Sequence, residues 1–375
     1  MNRIKMHSRR RAFTALASLA VLAACGDEGQ LAQLPPGAAP QSLQTILVAT
    51  ARRPGTPDQG YGLERSDQPN FARYQISVPR QRAPGSVTFP PKDGQPDPAR
   101  DFLVASVQPL PGEQGFLAAL NKAALAQPPK DREGVLFTHG YNTNFPEGLY
   151  RSAQLQQDIA GRPIAVHFAW PSVGRTQGYL TDRESVLFSR DALDKTIRDM
   201  SRSKLTGFNL IAHSMGSLLM METLRQIAMS PNPRALDKVD AVVLISPDID
   251  IDVFRKEAEP VLARDVPIFI VVSGGDKALR FSAGLRGGRQ RLGTIKSKAD
   301  LKGLDVDVID LSSISGGDAM GHFTVGTSPA LIAFLDELRR TGTDIFDDNK
   351  GEGLIGSSVQ MVQRGTQILV QGPQL

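Results

Sequence analysis

Ser214 lies where the sequence predicts the end of an apolar strand and the start of a helix. The stretch "FNLIAHSMGSLLM" (208–220) reads as a strand, then Ala212-His213-Ser214-Met215-Gly216, then a helix. Small residues two positions either side of a serine allow a sharp turn in which strand and helix backbones pass closely. The helix would point its unbonded amides at an anion near Ser214. The pattern predicts a nucleophilic serine; the alternative is a serine that only caps the helix.

A serine hydroxyl is a weak nucleophile at neutral pH and needs a neighbouring base. The chain has five histidines, so the candidates can be compared one by one. His7 belongs to the N-terminal leader, His139 ends a strand, His167 lies inside a strand, and His213 adjoins the serine with its side chain directed elsewhere. His322, in "GGDAMGHFTVG", lies in a glycine-bracketed loop between the last strand and the last helix of the body. We predict His322 as the base.

The base needs an acid that fixes its tautomer and stabilises the imidazolium. Asp276, in "VVSGGDKAL", follows the end of an apolar strand and precedes His322. Asp248, in "ISPDID", follows the preceding strand and is the alternative acid, because a neighbouring loop can reach the same imidazole. Asp250 and Asp252, which follow in the same stretch, are interpreted instead as residues that cap or start the next helix.

A tetrahedral intermediate needs N–H donors aimed at its oxyanion. The first is predicted to be the backbone N–H of Met215. The second should come from the loop after "VLFTHG", where we predict Tyr141, with Gly140 and Asn142 as neighbours. The alternative is that "HGYNTN" is only a turn that ends a strand.

The substrate surface is predicted from residues that follow strands. Trp170, His139 and His213 are assigned to it, although Trp170, the only tryptophan, reads equally well as core. A basic segment follows Asp276; it would contact an anionic substrate, or it is simply solvated. Its arginines are Arg280, Arg286, Arg289 and Arg291.

Alternating elements from residue 134 onward predict how these residues are positioned. Continuously apolar strands interleaved with helices indicate a mostly parallel central sheet with helices on both faces. Earlier, 44–50 and 71–79 read as strands around a polar loop, and 112–127 reads as a helix. Residues 341–375 are a tail of unknown structure, except that "VQRGTQILVQG" (362–372) is compatible with a short hairpin.

The N-terminus has the pattern of an export signal. Basic residues precede "AFTALASLAVLAA", an apolar stretch too short for a stable membrane anchor. The segment ends in "LAAC", which resembles the bacterial lipobox, so Cys25, the only cysteine, is predicted to be lipidated, as with palmitate. The alternative is ordinary cleavage after Ala24. Arg10-Arg11 also fits a weak twin-arginine signal, so export is by Sec or Tat. Gly26-Asp27 carries no clear inner-membrane retention signal, which favours the outer membrane, facing the periplasm.

Charge excludes a nucleic-acid-binding function. The net charge is +4, but residues 1–24 hold five basic residues and no acid, so the remainder carries −1. No nucleic-acid-binding motif is present. No His-x-x-x-His or cysteine cluster indicates a metal site, and no cofactor is expected.

Taken together, "LFTHGYNTNF", "FAWPS", "NLIAHSMGSLL" and "SPDID" resemble an uncharacterised bacterial family within the α/β-hydrolase superfamily. The resemblance covers roughly residues 44–340. It implies the α/β-hydrolase fold and carries over the roles of Ser214, His322 and an aspartate, in the chain order serine, acid, histidine. It implies no particular substrate, because members of the superfamily cleave many bonds.

The predicted organisation is a signal peptide (1–24), a lipidated cysteine with a flexible tether (25–43), a hydrolase domain (44–340) and the tail (341–375). The predicted function is that of an envelope carboxylesterase or lipase-like enzyme that acts on a small-molecule or lipid ester. One alternative is a non-catalytic lipoprotein that uses the fold for binding. Another is an acyltransferase that passes the same acyl group to an alcohol.

Overall fold

The chain forms an α/β fold around one mixed sheet. The computed structural model describes residues 29–272, 290–295, 298–301, 303–310, 329–341, 360–363 and 366–368. The strands are β1 Ser42–Pro54, β2 Tyr61–Val78, β3 Leu103–Leu110, β4 Glu133–Thr138, β5 Ile164–Ala169, β6 Gly207–His213, β7 Val239–Ile245, β8 Ile268–Val272, β9 Asp307–Asp310, β10 Gln360–Gln363 and β11 Thr366–Ile368. The α-helices in the described ranges are α1 Gly112–Leu125, α2 Phe145–Asp158, α3 Tyr179–Arg202, α4 Met215–Met229, α5 Ile251–Leu262 and α6 Pro329–Thr341.

The sheet order is β11-β10-β9-β8-β7-β6-β4-β5-β1-β2-β3. The block from β9 to β1 is parallel, whereas β2 and β3 at one side and β10 and β11 at the other pair in antiparallel fashion. Parallel strands end at the same edge of the sheet, so the loops after β4, β6, β7 and β8 all begin at one edge. We call this side of the molecule the carboxyl edge.

Both faces of the parallel block are covered by helices. Strands β5 and β8 are buried along their whole length, as expected for strands packed on two sides. Helices α1, α3, α4 and α5 contribute to the core on one face. Helices α2 and α6 contribute to the core on the other. The predicted fold class is therefore confirmed.

The β1–β2 hairpin is longer than the sequence pattern indicates. Pairing continues through Arg52↔Arg65 and Pro54↔Tyr61, with shifts of register that absorb the extra residues. The sequence predicts a loop between 50 and 71 because polar and apolar residues do not alternate regularly there. At the other end of the chain, β10 and β11 form the hairpin that the sequence pattern allows.

The segment before β1 corrects the expectation of a flexible tether. Leu31 is 7% exposed, and its N–H donates to the Asp58 carbonyl at 2.7 Å. The Leu34 N–H donates to the Val104 carbonyl at 2.8 Å. Residues 29–41 thus belong to the folded body, because their backbone bonds to β3 and to the β1–β2 hairpin. In the described ranges, no helix has both the length and the apolarity needed to cross a bilayer.

Candidate active site

Ser214 lies on a strained turn between β6 and α4. Its φ of 52° and ψ of −121° fall in a region that non-glycine residues rarely occupy. Such a conformation costs ~1–3 kcal/mol and persists only where the surroundings hold it. Here the Ser214 N–H donates to the Ile245 carbonyl at 2.9 Å, and the Ser214 carbonyl accepts from the Asp248 N–H at 3.1 Å. The side chain makes no capping bond to α4, which argues against the purely capping alternative.

The loop after β4 packs directly against this turn. A Cβ built on Gly140 would lie 2.6 Å from Nδ1 of His213 and 2.9 Å from Cβ of Ser214. A Cβ built on Gly216 would lie 2.2 Å from the His139 carbonyl oxygen. Glycine is required at both positions because the two backbones nearly touch. The loop predicted to supply the second oxyanion donor therefore adjoins Ser214, and the N-terminus of α4 begins at Met215.

Two tyrosines connect this loop to the loop after β7. The rings of Tyr141 and Tyr179 meet edge to face at 5.2 Å. The hydroxyl of Tyr141 donates to the Thr176 carbonyl, and that of Tyr179 donates to Oδ2 of Asp248 at 2.7 Å. Tyr141 thus contacts Thr176, which precedes α3, and the ring of Tyr179, whose hydroxyl bonds to Asp248.

Asp248 is buried beside the serine turn. Nε of Arg291, itself 1% exposed, lies 3.2 Å from Oδ1 of Asp248. This burial corrects the interpretation of Arg291 as part of a basic surface segment. Asp250 instead caps α5, accepting from the Asp252 N–H at 3.0 Å, as the helix-start alternative predicts.

A fully buried cation, Arg52, was not predicted from the sequence. Its guanidinium donates to backbone carbonyls on three segments around the site, at distances of 3.0 to 3.2 Å: Trp170, Ser172, Thr143 and Gly62. Burial lowers the pKa of Arg52 to about 10, and the charge of Asp182 opposes that shift. The only signal in the sequence is an arginine at the end of an apolar strand.

Asp182, on α3, bonds to the same loop after β5 that Arg52 contacts. It accepts from Oγ of Ser172 at 2.6 Å and from the Val173 N–H at 2.7 Å. Burial raises the pKa of Asp182, while these bonds oppose the rise. Arg52 and Asp182 together bond to the loops after β4 and β5 and so hold both loops in place.

Arg52→Met is expected to lower the free energy of unfolding by ~3–5 kcal/mol, because it leaves two buried and two partly buried carbonyls without a donor. Arg53→Met is the matched control. The Arg53 side chain is 58% exposed and pairs with Glu64 at 3.6 Å, so its loss should cost less than ~1 kcal/mol. Urea denaturation of both variants measures the difference, and equal losses would contradict the supporting role of Arg52.

His139 and Trp170 form a buried stack behind the loop. Their rings lie 5.0 Å apart at 12°, and Trp170 Nε1 donates to the His139 carbonyl at 2.7 Å. Trp170 is fully buried and His139 is 1% exposed, so both support the loop; of the two readings of Trp170, the structure shows the core. His213, at 3% exposed, also lies inside. The structure thus shows all three side chains buried, and the bonds of His139 and Trp170 support the loop; the substrate-contacting role of the three residues stays a prediction.

Burial also keeps two histidines neutral. Desolvation lowers the pKa of His139 well below its usual value and that of His167 to about 3. His167 Nδ1 lies 3.2 Å from the Phe137 carbonyl, and its ring is wholly enclosed. The hydrogen bonds of both rings are to backbone carbonyls: those of Gly140 and Trp170 for His139, and that of Phe137 for His167.

The depressed pKa of His167 predicts acid sensitivity. The unfolded imidazole binds a proton below about pH 6.5, whereas the buried one does so only near pH 3, so acid favours the unfolded chain. Between pH 7 and pH 5 this histidine should remove about 2 kcal/mol of stability. His167→Gln should reduce the pH dependence of urea unfolding by that amount, and an unchanged dependence would contradict it.

A cleft of about 600 Å³ opens between α3, α4 and α5. Leu218, one turn after Ser214, and Arg291 line it, so it adjoins the serine turn. Its other walls carry both signs of charge: Arg183, Glu222, Arg225, Lys256 and Glu257. Burial and the nearby Glu222 raise the pKa of Glu257 to about 8, so this carboxyl is largely protonated at neutral pH.

Three predicted residues lie outside the described ranges: His322, Asp276 and Cys25. Arg280, Arg286 and Arg289 do as well. In the part of the chain that the structure describes, no group of three or more His, Cys, Asp or Glu residues is placed to bind a metal.

The serine turn between strand and helix, on a parallel sheet covered on both faces, defines an α/β hydrolase. Residues 118–339 match the family model "Alpha/beta hydrolase of unknown function (DUF900)", and the chain belongs to this family. None of the curated proteins matches the sequence significantly.

Solved structures with a similar fold include esterases and a lipase. A phosphonate-inhibited esterase B from Lactobacillus rhamnosis is 13% identical, with 91% of this chain and 96% of that one covered and a TM-score of 0.37. An esterase from Pyrobaculum calidifontis is 10% identical, with 82% and 86% covered and a TM-score of 0.35. Lipase B from Aspergillus fumigatus is 17% identical, with a TM-score of 0.36 and 56% of this chain covered; the matched region spans about half (52%) of that lipase. Likenesses this distant carry no argument about activity.

Proposed function

We propose that this protein is a cell-envelope serine hydrolase that cleaves carboxylic esters through an acyl-serine intermediate. The observation that carries the proposal is the backbone of Ser214, held at φ 52° and ψ −121° with Gly140 packed against its Cβ. A strained serine costs stability, and a scaffold that enforces the strain is characteristic of a functional group.

The proposed reaction begins with attack by Ser214 Oγ on the ester carbonyl, while His322 accepts the hydroxyl proton. The oxyanion accepts hydrogen bonds from the N–H groups of Met215 and of Tyr141 or Gly140. His322 then returns the proton to the leaving alcohol, and water releases the acid by the reverse sequence. Ser214 is only 2% exposed, so these charges develop in a water-poor environment where fixed donors act strongly.

The proposed acid is Asp276, with Asp248 as the alternative. The Asp248 carboxylate meets Tyr179 and Arg291, and the Asp248 N–H donates to the Ser214 carbonyl, so its position beside the serine turn supports it as the alternative. Loss of the triad acid lowers turnover by ~10⁴-fold.

Asp276→Asn is expected to lower turnover by ~10⁴-fold with little change in stability. Asp248→Asn should instead lower the free energy of unfolding by ~3–5 kcal/mol, because it leaves the buried Arg291 without its carboxylate. Turnover and urea unfolding of both variants decide between the two aspartates. The reverse pattern would assign the acid to Asp248.

The proposed location is the outer membrane, facing the periplasm. This rests on the sequence alone: the export signal, the lipobox-like "LAAC" and the single cysteine, Cys25. The lipid on Cys25 would hold the hydrolase at the membrane surface.

A panel of p-nitrophenyl esters of increasing acyl length tests the activity on the purified protein. Saturable hydrolysis of at least one ester supports the proposal. Added alcohol acceptors test the acyltransferase alternative, because transfer would yield a new ester in place of the free acid. Absence of both products would favour the non-catalytic alternative.

A further inference from the structure

The first described residue lies at the carboxyl edge, beside the candidate active site. The Gly29 N–H donates to Oε1 of Glu147 at 3.2 Å, and the Gly29 carbonyl accepts from Nδ2 of Asn144 at 2.8 Å. Asn144 caps the N-terminus of α2 and lies four residues after Gly140, which packs against Ser214. The N-terminal segment therefore joins the body at the same edge as the nucleophile.

From Gly29 the chain crosses the molecule to the opposite edge. The Ala32 N–H donates to the Tyr150 hydroxyl at 3.2 Å, midway along α2. Ser42, the first residue of β1, donates to Oε1 of Gln157 at 2.6 Å, near the C-terminus of α2. These contacts hold residues 29–42 along the helix, with Gly29 at the carboxyl edge.

The connection between this point and Cys25 is short. Four residues of fully extended chain span at most about 14 Å. A domain the size of residues 44–340 has a radius of gyration of about 19 Å. If the thioether sulfur of Cys25 carries lipid, such a connection cannot reach around the body, and the carboxyl edge stays near the bilayer.

Two exposed leucines lie at this edge. Leu180, 75% exposed, is the second residue of α3 and follows Tyr179. Leu63, 50% exposed, lies near the start of β2. The Arg65 side chain donates to the Thr181 carbonyl at 3.4 Å, which joins the start of β2 to the start of α3. These two apolar side chains at the carboxyl edge are available for contact with lipid.

We propose that the protein works with its carboxyl edge against the bilayer and hydrolyses acyl esters of lipids held in that same leaflet. This inference rests on the lipid-anchored serine hydrolase proposed above. The lipid acyl group passes to Ser214 Oγ, the lipid alcohol leaves with the serine proton, and water then releases the fatty acid and restores the serine.

Orientation is tested by fluorescence on the full mature protein, purified from membranes and reconstituted in phosphatidylcholine vesicles. The lipid blocks Cys25, so Leu180→Cys supplies one labelling site for a bimane fluorophore. Met229→Cys is the matched control: it is also apolar, is 62% exposed, and ends α4 at the opposite edge. Nitroxide-headgroup lipid should quench the label at position 180 several-fold more than the label at 229. Equal quenching, or stronger quenching at 229, would overturn the proposal.

A spacer tests the consequence for substrate choice. Twenty Gly and Ser residues inserted between Asp27 and Glu28 should lower hydrolysis of an ester lipid in the same vesicle about tenfold, because effective concentration falls with tether length. Hydrolysis of a short water-soluble ester should not change. Equal rates on the vesicle lipid with and without the spacer would overturn the proposal.

These experiments distinguish failure of the proposed orientation from failure of the proposed hydrolase function. A wild-type protein that fails to float with vesicles, or a Cys25→Ser variant that still floats, would overturn the anchor and the orientation together. Failure to hydrolyse the soluble ester would instead overturn the hydrolase, and with it the choice of lipid substrate, while the quenching result would still report the orientation.

Discussion

Replacing Ser214 with alanine is expected to lower ester turnover by ~10⁶-fold, the loss found when a serine nucleophile is removed. The hydroxyl would form the bond to the acyl group, and no other described side chain occupies its place on the strained turn. Alanine keeps the Cβ that packs against Gly140, so the fold should persist. Steady-state kinetics, with urea unfolding as a check on stability, measure the effect.

Ser217→Ala is the matched control. Ser217 is a buried serine three residues further along α4, and its hydroxyl donates to the Ala212 carbonyl at 3.1 Å. Its loss should cost about 1 kcal/mol of stability and leave turnover within a few-fold of wild type. A Ser214→Ala protein that retains its rate would remove the proposed nucleophile.

Gly216→Ala is expected to lower turnover by ~10²–10³-fold, the value of one oxyanion donor. The new methyl carbon would lie 2.2 Å from the His139 carbonyl oxygen, so the loop after β4 or the start of α4 must move. Either shift displaces a donor predicted to bind the oxyanion. Overpacking should also cost ~1–3 kcal/mol of stability.

Gly62→Ala controls for the loss of a glycine as such. A Cβ on Gly62 meets its nearest neighbour at 3.7 Å, an ordinary contact. This variant should keep wild-type turnover and stability within ~0.5 kcal/mol. Comparable kinetics for the two glycine variants would show that the contact between the loop and the serine turn has no part in the reaction.

Local patterns predict the parallel block and the serine turn because each depends on residues that are near in sequence. β8 is apolar throughout and β5 is apolar except for His167, which distinguishes doubly covered strands from amphipathic ones. The turn at Ser214 needs small residues on both sides, and the chain shows them as Ala212 and Gly216. The sheet then brings the loop after β4 to the turn because β4 and β6 are adjacent and parallel.

Long-range contacts account for what local patterns do not predict. Arg52 is indistinguishable from Arg53 in sequence, yet the Arg52 side chain is buried and bonds four backbone carbonyls, whereas the Arg53 side chain is largely in solvent. Residues 29–41 have the composition of a linker, but their partners lie on β3, α2 and the β1–β2 hairpin. Arg291 reads as one of a basic series, although it pairs with Asp248 43 residues earlier.

The most direct measurement of the central claim is labelling of the purified protein with a fluorophosphonate probe, which reacts with activated serines. We expect stoichiometric labelling of the wild type, with the adduct on the peptide that contains Ser214. The Ser214→Ala variant should show no labelling, and Ser217→Ala should label as the wild type does. A wild-type protein that stays unlabelled while a known esterase reacts in the same tube, or an adduct on another serine, would contradict the account.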